Sequence, residues 1–408
     1  MTKKPSPVLD SIDRMLNPSS IAVVGATERL QYGGRFFRSV MHAKDRLRVY
    51  PVNPSHRELL GIKCYPRVSD LPESPDLVGI IVPYQHTMSI LEDCAQAKAK
   101  SAIIISAGFS ERGNIERHTL QQEIRDFAHR SGVRVCGPNC LGIANIRSGT
   151  WASSSAPNPN LAYGPIAMIS QSGASAFGPL MTRAIDMGIG YSHIISTGNE
   201  ADLESSDFIE HLLQDPAIKV IACFIEGFKD GRKFLEVSRK ALRLGKSIVL
   251  IKIGHSEVGS RAALSHTAAL TGSNAVHNYA FKQYGVIRAD DYDDLVQTAH
   301  LLAYSPAPSS AGIAVVSHSG GISSLVSDHL GLEGFNLPPL TVKAKTGLQQ
   351  ILGDFGWASN PADVTGFANR GEFQQILNLL SQQRDAGVLV VATAGTNDQA
   401  EQITDLKK

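Results

Sequence analysis

The chain has 408 residues, 43% hydrophobic and 19% charged, with 39 basic against 38 acidic side chains. At roughly 100–200 residues per domain this length predicts two to three domains, and so much apolar material excludes a disordered or low-complexity protein. A net charge of +1 leaves no bulk attraction for nucleic acid or an anionic membrane, so an anion has to be held locally. Glycine is in surplus, at 36 residues, and marks places where backbone turns tightly or approaches a ligand.

The start, MTKKPSPVLDSIDRML, carries two lysines and no following apolar stretch, so no secretory leader is expected. Short β-branched runs follow at 20–26, 48–54, 77–83, 101–108 and 133–138, alternating with helix-like stretches at 34–44, 87–98 and 116–131. This alternation predicts α/β structure with a parallel sheet, in a Rossmann-like unit ending near residue 146. The small-residue stretch 147–164 reads as a linker or long loop. Strands are then predicted at 165–170, 189–197, 220–226 and 247–252, and helices near 174–187, 205–213, 231–244 and 274–284.

After YSPAPSSAG (304–312) the pattern restarts with a strand at 313–319, an NPADVT turn (360–365), a helix at 371–383 and a strand at 388–394. PIAMISQSGASAFGPLM and GIAVVSHSGGISSLVSD match at the same strand-to-helix transition, which points to two related α/β domains. The expected domains are therefore 1–146, 160–303 and 311–408, the last short of a full doubly wound unit. Apolar runs have strand length, far below the ~20 residues of a membrane span. The five cysteines are scattered, with no zinc-like Cys/His spacing. A cytoplasmic protein without membrane, nucleic-acid or metal sites is expected.

Three segments carry chemistry. Gly25-Ala26-Thr27 ends the first strand and Gly33-Gly34 opens a helix, a turn whose N–H groups suit a phosphate. The spacing is not G-x-G-x-x-G, which favours a nucleotide-bearing ligand other than NAD. SQSG (170–173) puts Ser172 and the N–H groups of Gly173 and Ala174 at a helix start, where orphan donors and the helix dipole favour an anion. A serine nucleophile lacks its G-x-S-x-G elbow. His266, in GSRAALSHTAALTGS, lies among small residues that let bulky groups approach, and a neutral imidazole there can take a phosphoryl group. Glu226, ending the apolar strand VIACFIE, is a candidate carboxylate to hold its tautomer. His318 in SHSGG reads as a turn histidine, and His118, His129 and His211 as solvated ones.

The ordered segments NPSSIAVVGAT (17–27), PVNP (51–54), GIKCYPRVSDLPESPDLVGIIVP (61–83), SAGFSERG (106–113), GPNCLGIAN (137–145), ISQSGA (169–174), STGNEADL (196–203), IEGFKDGRKFLE (225–236) and SHTAALTGS (265–273) resemble the NDP-forming acyl-CoA synthetases. These include the α part of ADP-forming acetate–CoA ligase and are related to succinyl-CoA synthetase.

The resemblance implies a CoA-binding Rossmann-like domain followed by two flavodoxin-like ligase domains. It implies an acid–thiol ligase that makes acyl-CoA from a small carboxylic acid, CoA and ATP through an acyl phosphate and a phosphohistidine. His266 is then the phosphohistidine, Glu226 its orienting carboxylate, and Ser172, Gly173 and Ala174 the phosphate site. Gly25, Thr27, Gly33, Asn53, Pro83, Ser106, Gly108 and Phe109 are expected to line the CoA site, with Asn139 and Cys140 at its thiol end. ATP/ADP with Mg is expected at an ATP-grasp subunit or missing C-terminal domain, in an oligomer. The alternative is a CoA-sensing module without catalysis. SHTAALTG departs from the usual SHTGALAG at Ala268 and Thr271, which bears on the rate of a swinging loop. Ser55-His56 stand where a lysine often follows PVNP, so the CoA phosphates need another contact.

Overall fold

The computed structural model describes residues 7–254, 256, 258–259, 274–305, 307–354, 356–364 and 370–392. The chain divides into two units, Met1–Ser305 and Pro306–Lys408.

In the first unit, helix α1 (Pro7–Leu16) buries Ile12, Met15 and Leu16, spaced to share one face. Strands β1 (Ser20–Val24), β2 (Arg48–Val52), β5 (Leu77–Ile80), β6 (Ser101–Ile104) and β7 (Arg134–Cys136) form a parallel sheet in the order β2-β1-β5-β6-β7. The two-residue strands β3 (Glu58–Leu59) and β4 (Ile62–Lys63) make a separate hairpin. Helices α2 (Tyr32–Met41), α3 (Thr87–Gln96) and α4 (Ile115–Ser131) connect the parallel strands. With helices on both faces, β1, β5 and β6 are buried along their whole length, which is why they are almost wholly apolar. Asn114 caps α4 by accepting from the Arg117 N–H at 2.9 Å, and Gly132 ends it with φ +79°.

The second sheet runs β14-β13-β12-β10-β11-β8-β9. Its parallel part holds β10 (Tyr163–Ser170), β11 (Tyr191–Ser196), β12 (Val220–Ile225), β13 (Ser247–Lys252) and β14 (Val286–Arg288). Strands β8 (Gly142–Asn145) and β9 (Thr150–Ser153) extend it with antiparallel pairing. Residues 150–153 are thus sheet rather than linker, because Trp151 buries its indole against Phe177. Helical backbone follows β10 as α5 (Gly173–Ser175), a π turn at Ala176–Leu180 and α6 (Met181–Asp186). Helices α7 (Ser205–Leu212), α8 (Gly231–Arg243), α9 (Asn274–Gln283) and α10 (Tyr292–Tyr304) complete the unit. Helix α10 turns Leu295, Val296, Ala299 and Ala303 into the core, although its sequence was not among the predicted elements.

The two sheets of this unit are tied by Asp202, which accepts from Arg134 Nε at 2.9 Å and Nη2 at 2.5 Å and from the Val135 N–H at 2.8 Å. His211, read as solvated, is largely covered near α1, with Nε2 3.9 Å from Asp13, and burial lowers its pKa.

His193 on β11 is more strongly affected: burial pushes its pKa down to about 4, and its Nδ1 is buried without a hydrogen-bond partner among the described residues. Above pH 6.5 the imidazole is neutral whether folded or unfolded. As pH falls towards 4 the unfolded chain takes the proton first, and stability drops by on the order of 3 kcal/mol. His193→Gln is expected to flatten the loss of urea midpoint between pH 7 and 5. An unchanged slope would show that His193 does not set it.

The second unit has a parallel sheet β16-β15-β17, built from β15 (Gly312–Ser317), β16 (Ala362–Asp363) and β17 (Ala386–Ala392). Helices α11 (Gly320–Leu332), α12 (Val342–Leu352) and α13 (Arg370–Ser381) pack with it around Leu348, Phe373, Ile376 and Leu380. Asn360 anchors the turn before β16, accepting from the Val315 N–H at 2.9 Å and donating to the Ile313 and Pro338 carbonyls. No described helix is long and apolar enough to cross a membrane.

Candidate functional site

A parallel sheet presents its functional loops at the carboxyl ends of its strands, where the strand order reverses. In the first sheet β1 lies between β2 and β5, and in the second β10 lies between β11 and β12. The loops leaving these strands meet in one cleft of about 770 Å³ within the first unit. Gly25 and Thr27 come from the end of β1, Pro83 from β5 and Ser106 from β6. From the second sheet come Ser172, Gly173 and Ala174 after β10, Asn199 after β11, and Glu226 with Lys229 after β12. A cleft this size, with polar groups at separate points along it, suits an extended cofactor-sized ligand.

The first wall is fixed by backbone bonds. The Gly25 N–H donates to the Val52 carbonyl at 3.0 Å and the Ile81 N–H to the Val24 carbonyl at 2.9 Å. Gly25 has φ +86°, and a Cβ there would stand 2.2 Å from the Ile81 oxygen, so only glycine fits this turn. Asn53 does not line the cleft. Its Nδ2 donates to the Ala26 carbonyl at 2.9 Å and its Oδ1 accepts from the Ser55 N–H, which makes it the support under the Gly25–Thr27 turn.

Gly108 and Phe109 also stand off the cleft. Both N–H groups turn to the Glu111 carboxylate, and the Phe109 ring is fully buried with its edge against Tyr84. Ser106, earlier in the same turn, donates its hydroxyl to the Val82 carbonyl.

Asn139, Cys140 and Leu141 form the floor between the two sheets. The Asn139 N–H donates to the Ser106 carbonyl and its side chain to Asn199 Oδ1. Cys140 Sγ lies 3.3 Å from the Ile104 oxygen. Contact with the Cys140 thiol and burial together raise the Cys136 pKa, keeping Cys136 a thiol. Gly198 lets the β11 loop sit on this floor, since a Cβ there would come within 2.2 Å of the Pro138 oxygen.

On the second wall, Ser172 caps the helical segment that starts at Gly173, with its Oγ 3.4 Å from the Ser175 N and 3.0 Å from the Ser175 Oγ. Glu226 borders the cleft and is only 8% exposed. Beneath it the Lys252 ammonium donates to the Glu226 and Ile253 carbonyls, each at 2.7 Å. Burial pulls the Lys252 pKa down to about 8, with the negative charge of Glu226 opposing the fall. His266 lies outside the described residues. Among those described, no group of three or more His, Cys, Asp or Glu is placed to hold a metal ion.

Sequence reading passed over Gln171, Glu200 and Lys252. The first two stand inside the ISQSGA and STGNEADL segments, and the third ends the run SIVLIK. A lysine closing a buried apolar strand was the available signal for Lys252.

Two family models match the chain: a CoA binding domain over residues 19–146 and a succinyl-CoA ligase-like flavodoxin domain over residues 163–302. The chain is 36% identical over 381 residues to the α subunit of ADP-forming acetate–CoA ligase II of Pyrococcus furiosus, a match covering 93% of this chain and 81% of that one. The chain belongs to the NDP-forming acyl-CoA synthetase family.

The ADP-forming acetate–CoA ligase of Methanocaldococcus jannaschii is 37% identical over 356 residues, covering 86% of this chain and 49% of that protein. The chain therefore spans about half the length of that relative. Among solved structures, acetyl-coenzyme A synthetase 1 of Ca. Korarchaeum cryptofilum, in complex with phosphate and ADP, superposes with a TM-score of 0.89 at 32% identity. That match covers 97% of this chain and 87% of the other.

Proposed function

We propose that this chain is the acyl- and CoA-handling part of an ADP-forming acid–thiol ligase. The observation that carries this is the shared cleft, where a glycine turn from the sheet of the CoA-binding domain faces the Ser172–Ala174 helix start and Glu226 from the ligase-like sheet. Gly25, Thr27, Gly33, Pro83 and Ser106 line the CoA end of the cleft. Asn139 and Cys140 flank its thiol. With the Gly25 N–H and the Ser106 hydroxyl bonded within the protein, the backbone at Ala26–Thr27 and the start of α2 is the part of this end suited to a pyrophosphate without a bulk positive charge.

In the synthetic direction the acid ends as a thioester; in the reverse direction the thioester is the reactant. Phosphate attacks the acyl-CoA carbonyl, the C–S bond breaks, and CoA leaves as a thiol with the phosphate proton. The resulting acyl phosphate passes its phosphoryl group to His266 and leaves as a carboxylate. Ser172 and the N–H groups of Gly173 and Ala174 hold the phosphoryl oxygens. Glu226 orients the imidazole and stabilises its positive charge. A separate nucleotide-binding chain or domain of ATP-grasp type, with Mg, then supplies ADP to accept the phosphoryl group. The substrate is a small carboxylic acid. Residues 311–408 form the second ligase-type domain of this arrangement.

Incubating the full chain with acetyl-CoA and radiolabelled inorganic phosphate is expected to leave acid-labile label on His266 and to free CoA thiol. His266→Ala should abolish the label. Label persisting in that variant would move the acceptor elsewhere, and CoA binding without label in the wild type, partner present, would leave a binding module.

A further inference from the structure

Gln171 borders the cleft beside Ser172, yet its amide is spent on the protein. Its Oε1 accepts from the Glu226 N–H at 2.6 Å and the Gly227 N–H at 3.0 Å. Its Nε2 donates to the Gly227 carbonyl at 2.7 Å and to Glu200 Oε2 at 2.8 Å. A primary amide has two donors and two lone pairs, so nothing is left over for a ligand. The orientation is also determined: turning the amide over would set donors against the two N–H groups and an acceptor against the carbonyl and carboxylate.

Glu200 is saturated in the same way. Its Oε1 accepts from Thr197 Oγ1 at 2.8 Å, the Ser205 N–H at 2.9 Å and Ser205 Oγ at 2.5 Å, while Oε2 takes the Gln171 donor. It is buried, and its backbone is left-handed at φ +54°, a conformation a non-glycine residue keeps only when its surroundings enforce it. The loops after β10, β11 and β12 and the start of α7 thereby share one hydrogen-bonded chain. Three of the four backbone groups of Glu226 and Gly227 hang on Gln171, and the Glu226 carbonyl is taken by Lys252.

We infer that the Gln171–Glu200 pair is a positioning device that sets the Glu226 carboxylate against the phosphoryl site, acting on the chemical step and not on CoA binding. This rests on the function proposed above. Glu200 stands off the cleft, and the Gln171 amide that borders it is spent on the protein. The CoA wall built from Gly25, Pro83 and Ser106 is held by its own bonds, so a disturbed Glu226 loop leaves it in place.

The test follows thiol release from acetyl-CoA, inorganic phosphate and ADP, using the full chain with its nucleotide-binding partner. Gln171→Glu sets two carboxylates face to face and loses the donor to Gly227. Glu200→Gln sets a donor against a donor. Each is expected to lower kcat by about 10–100-fold with KM for acetyl-CoA within about twofold. The double variant Gln171→Glu/Glu200→Gln restores one donor facing one acceptor and is expected to recover about tenfold over Gln171→Glu alone, a non-additivity that marks direct coupling. A thermal melt of each protein checks folding. If Gln171→Glu does not fold, Glu200→Gln and the shape-conserving Gln171→Met give the same kcat-against-KM reading.

A single variant with kcat within about threefold of wild type overturns the inference. So does a KM that rises in step with the loss of kcat, or a double variant no better than the product of the singles. An active wild type with unaffected variants overturns the positioning role alone; a wild type releasing no thiol overturns the function and this role together.

Discussion

Glu226→Gln is expected to slow phosphoryl transfer to His266 by about 10²–10⁴-fold, the range for loss of a group assisting proton placement and charge in a transition state. The substitution keeps the size of the side chain and both backbone bonds to Gln171, so the loop stays and only the negative charge goes. Affinity for CoA should hold within about twofold, or tighten, because a carboxylate is removed from a cleft proposed to take an anionic ligand. Glu226→Asp separates reach from charge, since it keeps the carboxylate but withdraws it by one methylene. Rapid-quench labelling of wild type and both variants provides the rates. A Glu226→Gln protein that labels at the wild-type rate would remove the carboxylate from the mechanism.

Gly25→Ala is the second large effect, and it strikes the opposite wall. The left-handed φ of +86° alone costs an alanine on the order of 1–2 kcal/mol. The added Cβ, 2.2 Å from the Ile81 oxygen, has to push the turn away from the end of β5. Together these should destabilise the first unit by about 3 kcal/mol. CoA affinity should fall at least about tenfold in the protein that remains folded, because the displaced turn is part of the proposed CoA wall. Calorimetric melts and CoA titrations measure the two effects separately. Normal affinity in the variant would mean that this turn is not a CoA contact.

The longer parallel strands were legible because helices cover both faces of these sheets, which leaves runs such as SIAVV and VIACFI no polar positions, whereas the short β14 was not predicted and β16 falls inside the stretch read as an NPADVT turn. The pair β8–β9 was not, being four residues each and spelled GIAN and TWAS, too short and mixed for period-2 alternation to stand out. Helix α1 was hidden for another reason: the start of the chain draws attention for its lack of an apolar leader, while its buried Ile12, Met15 and Leu16 have ordinary helical spacing.

At the cleft, glycine turns and serine caps are local signals, and their residues stand where strand ends predict. Asn53, Gly108 and Phe109 belong to the same motifs but face inward, and motif membership carries no direction. The Gln171 bonds join residues 29 and 55 positions apart; no local pattern contains such a pair.

The stretch from Arg134 to Asn145 has a consequence for how a ligand gets in and out. It begins as β7 in one sheet, ends as β8 in the other, and between them lays Asn139, Cys140 and Leu141 along the bottom of the cleft. Asp202, reaching back from the second sheet to Arg134 and Val135, fastens the same junction from behind. The two sheets of the first unit are therefore spliced at the very place a clamshell would need its pivot to give way. Among the described residues, the bed of the cleft is thus held by bonds from both sheets, and its rim is made by the loops that follow the strands.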